Sequence, residues 1–388
     1  MSEAITMENF LRELPKCEHH CHLEGTLTTE LLFKLAKKNH IELPDDYPKT
    51  PEELNEKYRK VYTDLDEFLK YYYTGMEVLI TETDFYQLTW ELFLKINTQD
   101  VQHIEIFFDP QGHLSRNIEF DVFMSGMSRA CEKAFNELGI SSKLIMCFLR
   151  DFSKEDAFRA IELSRPYFQN DLIHGIGLDS SSESEFPPYL FRECYKEIKK
   201  SFPKVGLTAH GGEELGPESI IDCIRYLKVT RIDHGINAYK NLDLLKKLSK
   251  DKIMLTICPI SEFKVQDITD YRQLHLEKYL QYNVPFSINS DDPVYFDGYI
   301  LENYVKIQES YNWDMATWCK IARNSINCSW ISDERKNELL ANVNKVYIKY
   351  ESIASGSKER ESVTVAFVKL MFFCLFLIFF FYKFILNQ

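Results

Sequence analysis

The sequence predicts an α/β chain folded as a (β/α)8 barrel with an apolar C-terminal tail, and three observations predict it. Eight short apolar runs recur along the chain, each ending in polar or small residues. Helix-like stretches, with apolar residues three and four apart, separate most of them. The runs also end on ionisable side chains again and again, at the rim where a barrel of this kind carries its chemistry.

The runs, in order, are "PKCEHHCH", "VQHIEIFFDP", "SKLIMCFLRD", "LIHGIGLDS", "VGLTAHGG", "VTRIDHG", "IMLTICPIS" and "VPFSINSDD". Near-continuous apolar strands read as a parallel sheet covered on both faces. Between them, "TPEELNEKYRKVY", "DAFRAIELSRPYF" and "NLDLLKKLSK" have the helical period. An open doubly wound sheet is the alternative, but no G-x-G-x-x-G follows the first run, and Gly175 with Gly177 does not supply one. No linker rich in Pro, Gly or Ser interrupts the chain before residue 350. Residues 1–355 are therefore expected to form one barrel domain, and 356–388 a charged spacer with an apolar tail.

In the tail, Val363 to Leu386 is apolar apart from Lys369 and Lys383. The unbroken part, Leu370 to Tyr382, would span about 20 Å as helix against roughly 30 Å of hydrocarbon. If both lysines snorkel, the longer stretch reaches across. A membrane anchor and a merely buried or aggregation-prone tail stand level. The N-terminus is charged and lacks an apolar signal-peptide core, so the expected location is the cytoplasm, the nucleus included, with membrane association only if the tail anchors. The net charge of −13 argues against a nucleic-acid partner. Ten irregularly spaced cysteines, several inside apolar runs, read as reduced core thiols.

Strand ends carry His20, His22, Asp109, Asp151, Asp179, His210, His234, Asp291 and Asp292. A core has little use for so many, since burying each unpaired charge costs several kcal/mol. On a strand, residues i and i+2 share a face, so His20 and His22 should point into the barrel mouth, with His19 and Cys21 turned toward the helices. Alone, H-x-H is weak evidence, because two histidines are readily satisfied by carbonyls or solvent. His210 and Asp291, at other strand ends, strengthen it. Three imidazoles and one carboxylate suit zinc and leave room for a water. Glu213, three residues after His210, should share one side of a helical turn with it and gain its proton on meeting a basic ring nitrogen. His234 is suited to orient the water or take its proton. Asp292 can face the ligand while Asp291 binds metal. No H-E-x-x-H, P-loop, EF-hand or G-x-S-x-G is present, and "HLE" lacks the P-C-x-x-C that zinc cytidine deaminases need.

"EHHCHLEGTL", "HGGEE", "RIDHG" and "SINSDDP" resemble, in family order, the signatures of the adenosine/adenine deaminases, metal-dependent hydrolases on a (β/α)8 barrel. The likeness runs from about Pro15 to Trp330. "EIFFDPQ", "LIMCFLR", "GIGLDSS" and "DDPVYF" are similar to the fungal and bacterial adenine deaminases, and Glu24 stands where the nucleoside enzymes usually carry aspartate. The resemblance implies one zinc per chain on His20, His22, His210 and Asp291. It implies Glu213 as proton donor to the purine N1, His234 assisting the water, and Asp292 on the purine at N7. Zinc lowers the pKa of water to roughly 7, and attack at C6 would yield hypoxanthine and ammonia, with no organic cofactor.

Several positions depart from that pattern: Gly211 for Ala, Asp151 for His, Asn237 for Arg, and Glu262 for Asn. The segment "DSSSESEFPP" is one residue longer than in its relatives. Glu262 and this loop are expected to reshape the purine pocket. Adenine deamination is thus the leading expectation, deamination of adenosine or an N6-substituted purine the second. A catalytically idle barrel acting as a scaffold is the third, and it should have lost one of the site positions that this chain keeps.

Overall fold

In the computed structural model, residues 7–180, 183–266 and 268–355 are described. The first run forms β1 (Lys16–His22), followed by β2 (Val101–Phe108), β3 (Ser141–Leu149) and β4 (Gly175–Asp179). The fifth run is broken in two, β5 (Gly206–Leu207) and β6 (His210–Gly211), before β7 (Arg231–His234), β8 (Met254–Ile257) and β9 (Phe286–Ile288). Each of these strand pairings is parallel, in the order β1-β2-β3-β4-β5 and β6-β7-β8-β9. Single backbone bonds carry the sheet across the break: Thr208 N–H donates to Ile176 O (3.0 Å) and Asp233 N–H to Ala209 O (2.9 Å).

The first and last staves close the ring. His22 N–H donates to Asp291 O at 3.0 Å and Asp291 N–H to His20 O at 2.9 Å. This is the (β/α)8 barrel predicted, with helices between the strands. Thr28, Thr50 and Ser153 cap the helices Thr29–Asn39, Pro51–Tyr58 and Lys154–Gln169 by accepting from first-turn N–H groups, as their hydroxyls favour. The stretches predicted helical form Pro51–Tyr58, Lys154–Gln169 and Leu242–Asp251, the first ending four residues short of its predicted stretch.

The β1–β2 register slips between Glu18 and Cys21. His19, expected to face the surrounding helices, meets the C-terminal end of one of them, Met315–Cys328, with its ring 2.8 Å from the capping Ser329 Oγ, at the barrel floor where Arg231 and Glu105 also act on it.

That floor is a buried polar plug. Arg231 Nη1 lies 2.7 Å from Glu105 Oε2, and the Arg231 guanidinium stacks 4.1 Å over the Trp330 ring. Trp330 fills the space under Gly175 and Gly206, where an added Cβ would lie 2.3 and 2.4 Å from the ring. The apolar tail lies outside the described residues. Among the described residues, no helix is long and apolar enough to cross a membrane.

Candidate active site

The slip in β1 and the sharp exits of later strands bring the polar rim together. His20 Nε2 lies 3.0 Å from Asp291 Oδ1 and 3.3 Å from His22 Nε2, while His22 Nε2 lies 3.4 Å from the same carboxylate oxygen. Four ligands at about 2.05 Å around a tetrahedral ion would stand about 3.3 Å apart. The donor chemistry fits as well. Burial, against the pull of Asp291, holds His20 and His22 down at about 4, and burial holds His210 well below the usual range. Asp291 is pulled well down, since the neighbouring imidazoles, His20 foremost, outweigh its burial. At neutral pH these are neutral imidazoles facing an anionic carboxylate, the state in which they bind a metal.

His20, His210, His234 and Asp291 offer donor atoms within 4.8 Å of one another, and His22 forms adjoining groups with Asp291 and Asp292 and with Asp109 and Asp179. His234 thus stands as near to the centre as the four residues predicted for the metal. It and Asp291 leave their strands in the left-handed region (φ 59° and 65°), which costs an L-residue roughly 1–2 kcal/mol. His20 has outer support: its Nδ1 meets Thr256 Oγ1 at 2.8 Å, and that hydroxyl donates to Asp233 Oδ1 at 3.1 Å. Such partners fix which ring nitrogen faces the metal.

Glu213 does not sit on a helical turn with His210, as the spacing suggested. β6 ends at Gly211, Gly212 takes φ 72°, and the chain turns so that Glu213 Oε2 lies 3.4 Å from His234 Nε2. Burial pushes Glu213 up to about 8, so it can carry a proton at neutral pH. His234 is drawn well above its ordinary value: burial opposes this, and Glu213, Glu262 and Asp291 override it.

A narrow cavity of about 50 Å³ joins His22, Asp109, Asp179, His210, Glu213, His234, Asp291 and Asp292. Leu65, Phe68, Leu69, Tyr72 and Tyr73 of the helix Leu65–Met76 roof it, with Tyr72 donating its hydroxyl to Asp109 Oδ2 at 2.8 Å. Asp292 Oδ1 is buried without a hydrogen-bond partner among the described residues. Burial and the neighbouring Asp291 push this carboxyl well above the ordinary range, so it is a place for a hydrogen bond to a ligand.

Some predicted positions lie elsewhere. Asp151 is exposed, accepts from Ser180 Oγ at 3.1 Å and does not line the cavity. Glu262, expected to reshape the pocket, stands behind His234 instead, with Oε1 2.9 Å from its Nδ1 and no exposed surface. Glu24 is also buried behind the lining, where it accepts from His113 Nε2 at 2.7 Å. Sequence reasoning missed the roof, Thr256 and Gln266, whose amide donates to Glu213 Oε1 at 3.2 Å. Asp233 lay in plain view in "RIDHG", beside a histidine already singled out.

The sequence profile of the family described as adenosine deaminase matches residues 15–346. The chain belongs to the adenosine deaminase family. Among its relatives, a Candida albicans protein named adenine deaminase is 52% identical over 89% of this chain and 96% of its own length. One of the same name from Saccharomyces cerevisiae is 51% identical over 88% and 98%. The crystal structure of adenine deaminase from Arthrobacter aurescens superposes with a TM-score of 0.81 at 35% identity, covering 87% of this chain and 99% of that one. As a member of the adenosine deaminase family, the chain holds its cluster of histidines and aspartates at the C-terminal rim of the barrel.

Proposed function

We propose that this protein catalyses the hydrolytic deamination of adenine to hypoxanthine and ammonia, with one zinc ion per chain. The observation that carries the substrate is the likeness, at half identity over nearly the whole length, to relatives named for adenine.

His20, His22, His210 and Asp291 would hold the zinc, whose Lewis acidity makes water a nucleophile at neutral pH. Glu213 delivers its proton to the ring nitrogen N1, so that negative charge does not build up on the purine as C6 is attacked. His234, beside both Glu213 and Asp291 and drawn toward its charged form, orients the attacking water by donating its ring N–H. Asp292, whose carboxyl is kept protonated by its burial and by the neighbouring Asp291, donates a hydrogen bond to the purine N7.

The test is a comparison of adenine and adenosine by ultraviolet absorbance on the purified protein. Adenine should be turned over with kcat/KM higher by about 100-fold or more. Equal turnover would overturn the substrate and leave the reaction class standing. No turnover of either by the zinc-loaded protein would favour the idle barrel.

A further inference from the structure

The turn that carries Glu213 is tied down by two residues from other loops, and neither touches the purine cavity. Glu183, on the loop after β4, is buried, and its carboxylate accepts from two successive backbone groups: Gly212 N–H at 3.1 Å and Glu213 N–H at 3.0 Å. Its own N–H donates to Glu214 Oε2 at 3.0 Å. Asn237, after β7, takes the carbonyl side. Its amide nitrogen donates to Glu213 O (3.0 Å) and Leu215 O (2.9 Å), and its backbone N–H to Gly212 O (3.1 Å). Both faces of one short turn are therefore satisfied by two side chains.

The turn needs this support. Gly212 stands at φ 72°, and an added Cβ there would lie 2.5 Å from Ile220. The segment belongs to no helix and has no ladder partner past Gly211. Left to itself, a glycine pair before a glutamate is among the loosest stretches of backbone a chain can hold. Asn237 and the lengthened loop around Glu183 are also two of the places where this sequence departs from the pattern it resembles.

We propose that Glu183 is a positioning residue: its two-oxygen grip on the Gly212 and Glu213 N–H groups, opposed by Asn237, holds the Glu213 carboxyl where it can give up its proton. A carboxylate suits this better than a neutral acceptor because two parallel N–H groups meet two charged oxygens, and charge-assisted bonds are about twice as strong. The inference rests on Glu213 being the proton donor. A misplacement of about 1 Å at such a group can cost roughly 100-fold in rate.

The experiment is a double-mutant cycle on the full-length, zinc-loaded protein, with kcat, KM for adenine, metal content and melting temperature read for each variant. In the parent, Glu183→Ala should lower kcat about tenfold or more while KM stays within about threefold and the metal is retained. Glu183→Gln, which keeps one acceptor oxygen, should fall between. In a Glu213→Gln background, Glu183→Ala should change kcat by less than about twofold, because the proton it positions is already gone. Equal slowing in both backgrounds would overturn the inference, as would a kcat near the parent's or a loss that follows metal content. Near-parent turnover of Glu213→Gln alone would instead sink the proton-donor reading and, with it, the inference.

Discussion

Glu213 lies 3.4 Å from His234 and 3.2 Å from the Gln266 amide, outside the four residues proposed to hold the metal. Glutamine there keeps the size and can still donate a hydrogen bond, but it has no proton to give. Glu213→Gln is thus expected to lower kcat by about 10²–10⁴-fold while zinc content and melting temperature stay near the parent's. Loss of the metal in that variant would show that the residue belongs to the ligand set. The side chains nearest the reaction were legible in the sequence, because histidines and aspartates at repeated strand ends have few structural uses. Glu183, Asn237 and Thr256 were not. Each acts on a partner tens of residues away, and a lone glutamate, asparagine or threonine carries no signal of which loop will fold against it. Glu262 was seen as unusual but given the wrong place, since a departure in sequence does not say which way the side chain faces.

Among the elements, the eight staves were readable from their apolar runs, but two local features were hidden. The register of β1 on β2 slips between Glu18 and Cys21. The break between β5 and β6 leaves only Thr208 and Ala209 to bridge the fifth stave. Both depend on pairing with a neighbour, which a single strand's pattern does not contain. The roof helix Leu65–Met76 was missed for a related reason: its apolar face covers a site assembled from seven other segments. At the opposite end, Trp330 packs under two glycines and beneath Arg231. Trp330→Ala should cost about 3–5 kcal/mol of stability, measured by denaturant unfolding, with kcat on adenine little changed. A stability loss under about 1 kcal/mol would mean that the floor refills by itself.

Across the whole molecule, acid should act through the floor as well as the site. Burial would raise Glu105, but the charge of Arg231 outweighs it and holds the carboxyl well below the ordinary value of 4.5. A carboxylate lowered in the folded state binds fewer protons there than when unfolded. Its contribution is therefore complete above about pH 4.5 and is lost as the pH falls below that toward the folded value. Glu105→Gln should cost about 3 kcal/mol near neutral pH, and the gap in melting temperature between parent and variant should stay level down to about pH 5 and narrow from there to about pH 3. A gap that stays constant would show that the pair adds nothing through its charge.

The joint between β1 and Asp291 also sets an order of events during synthesis. His20 leaves the ribosome early, but the carboxylate 3.0 Å from it in the finished barrel lies 271 residues further on. Capture of a metal by the four residues proposed for it must therefore wait until the last stave, Phe286–Ile288, has been made. Ribosome-bound chains stalled before residue 291 should retain zinc only weakly, and those long enough to free Asp292 from the exit tunnel should retain it through gel filtration. Loading the ion then reports that the ring has closed, so the cell has in the metal itself a mark that separates finished barrels from unfinished ones.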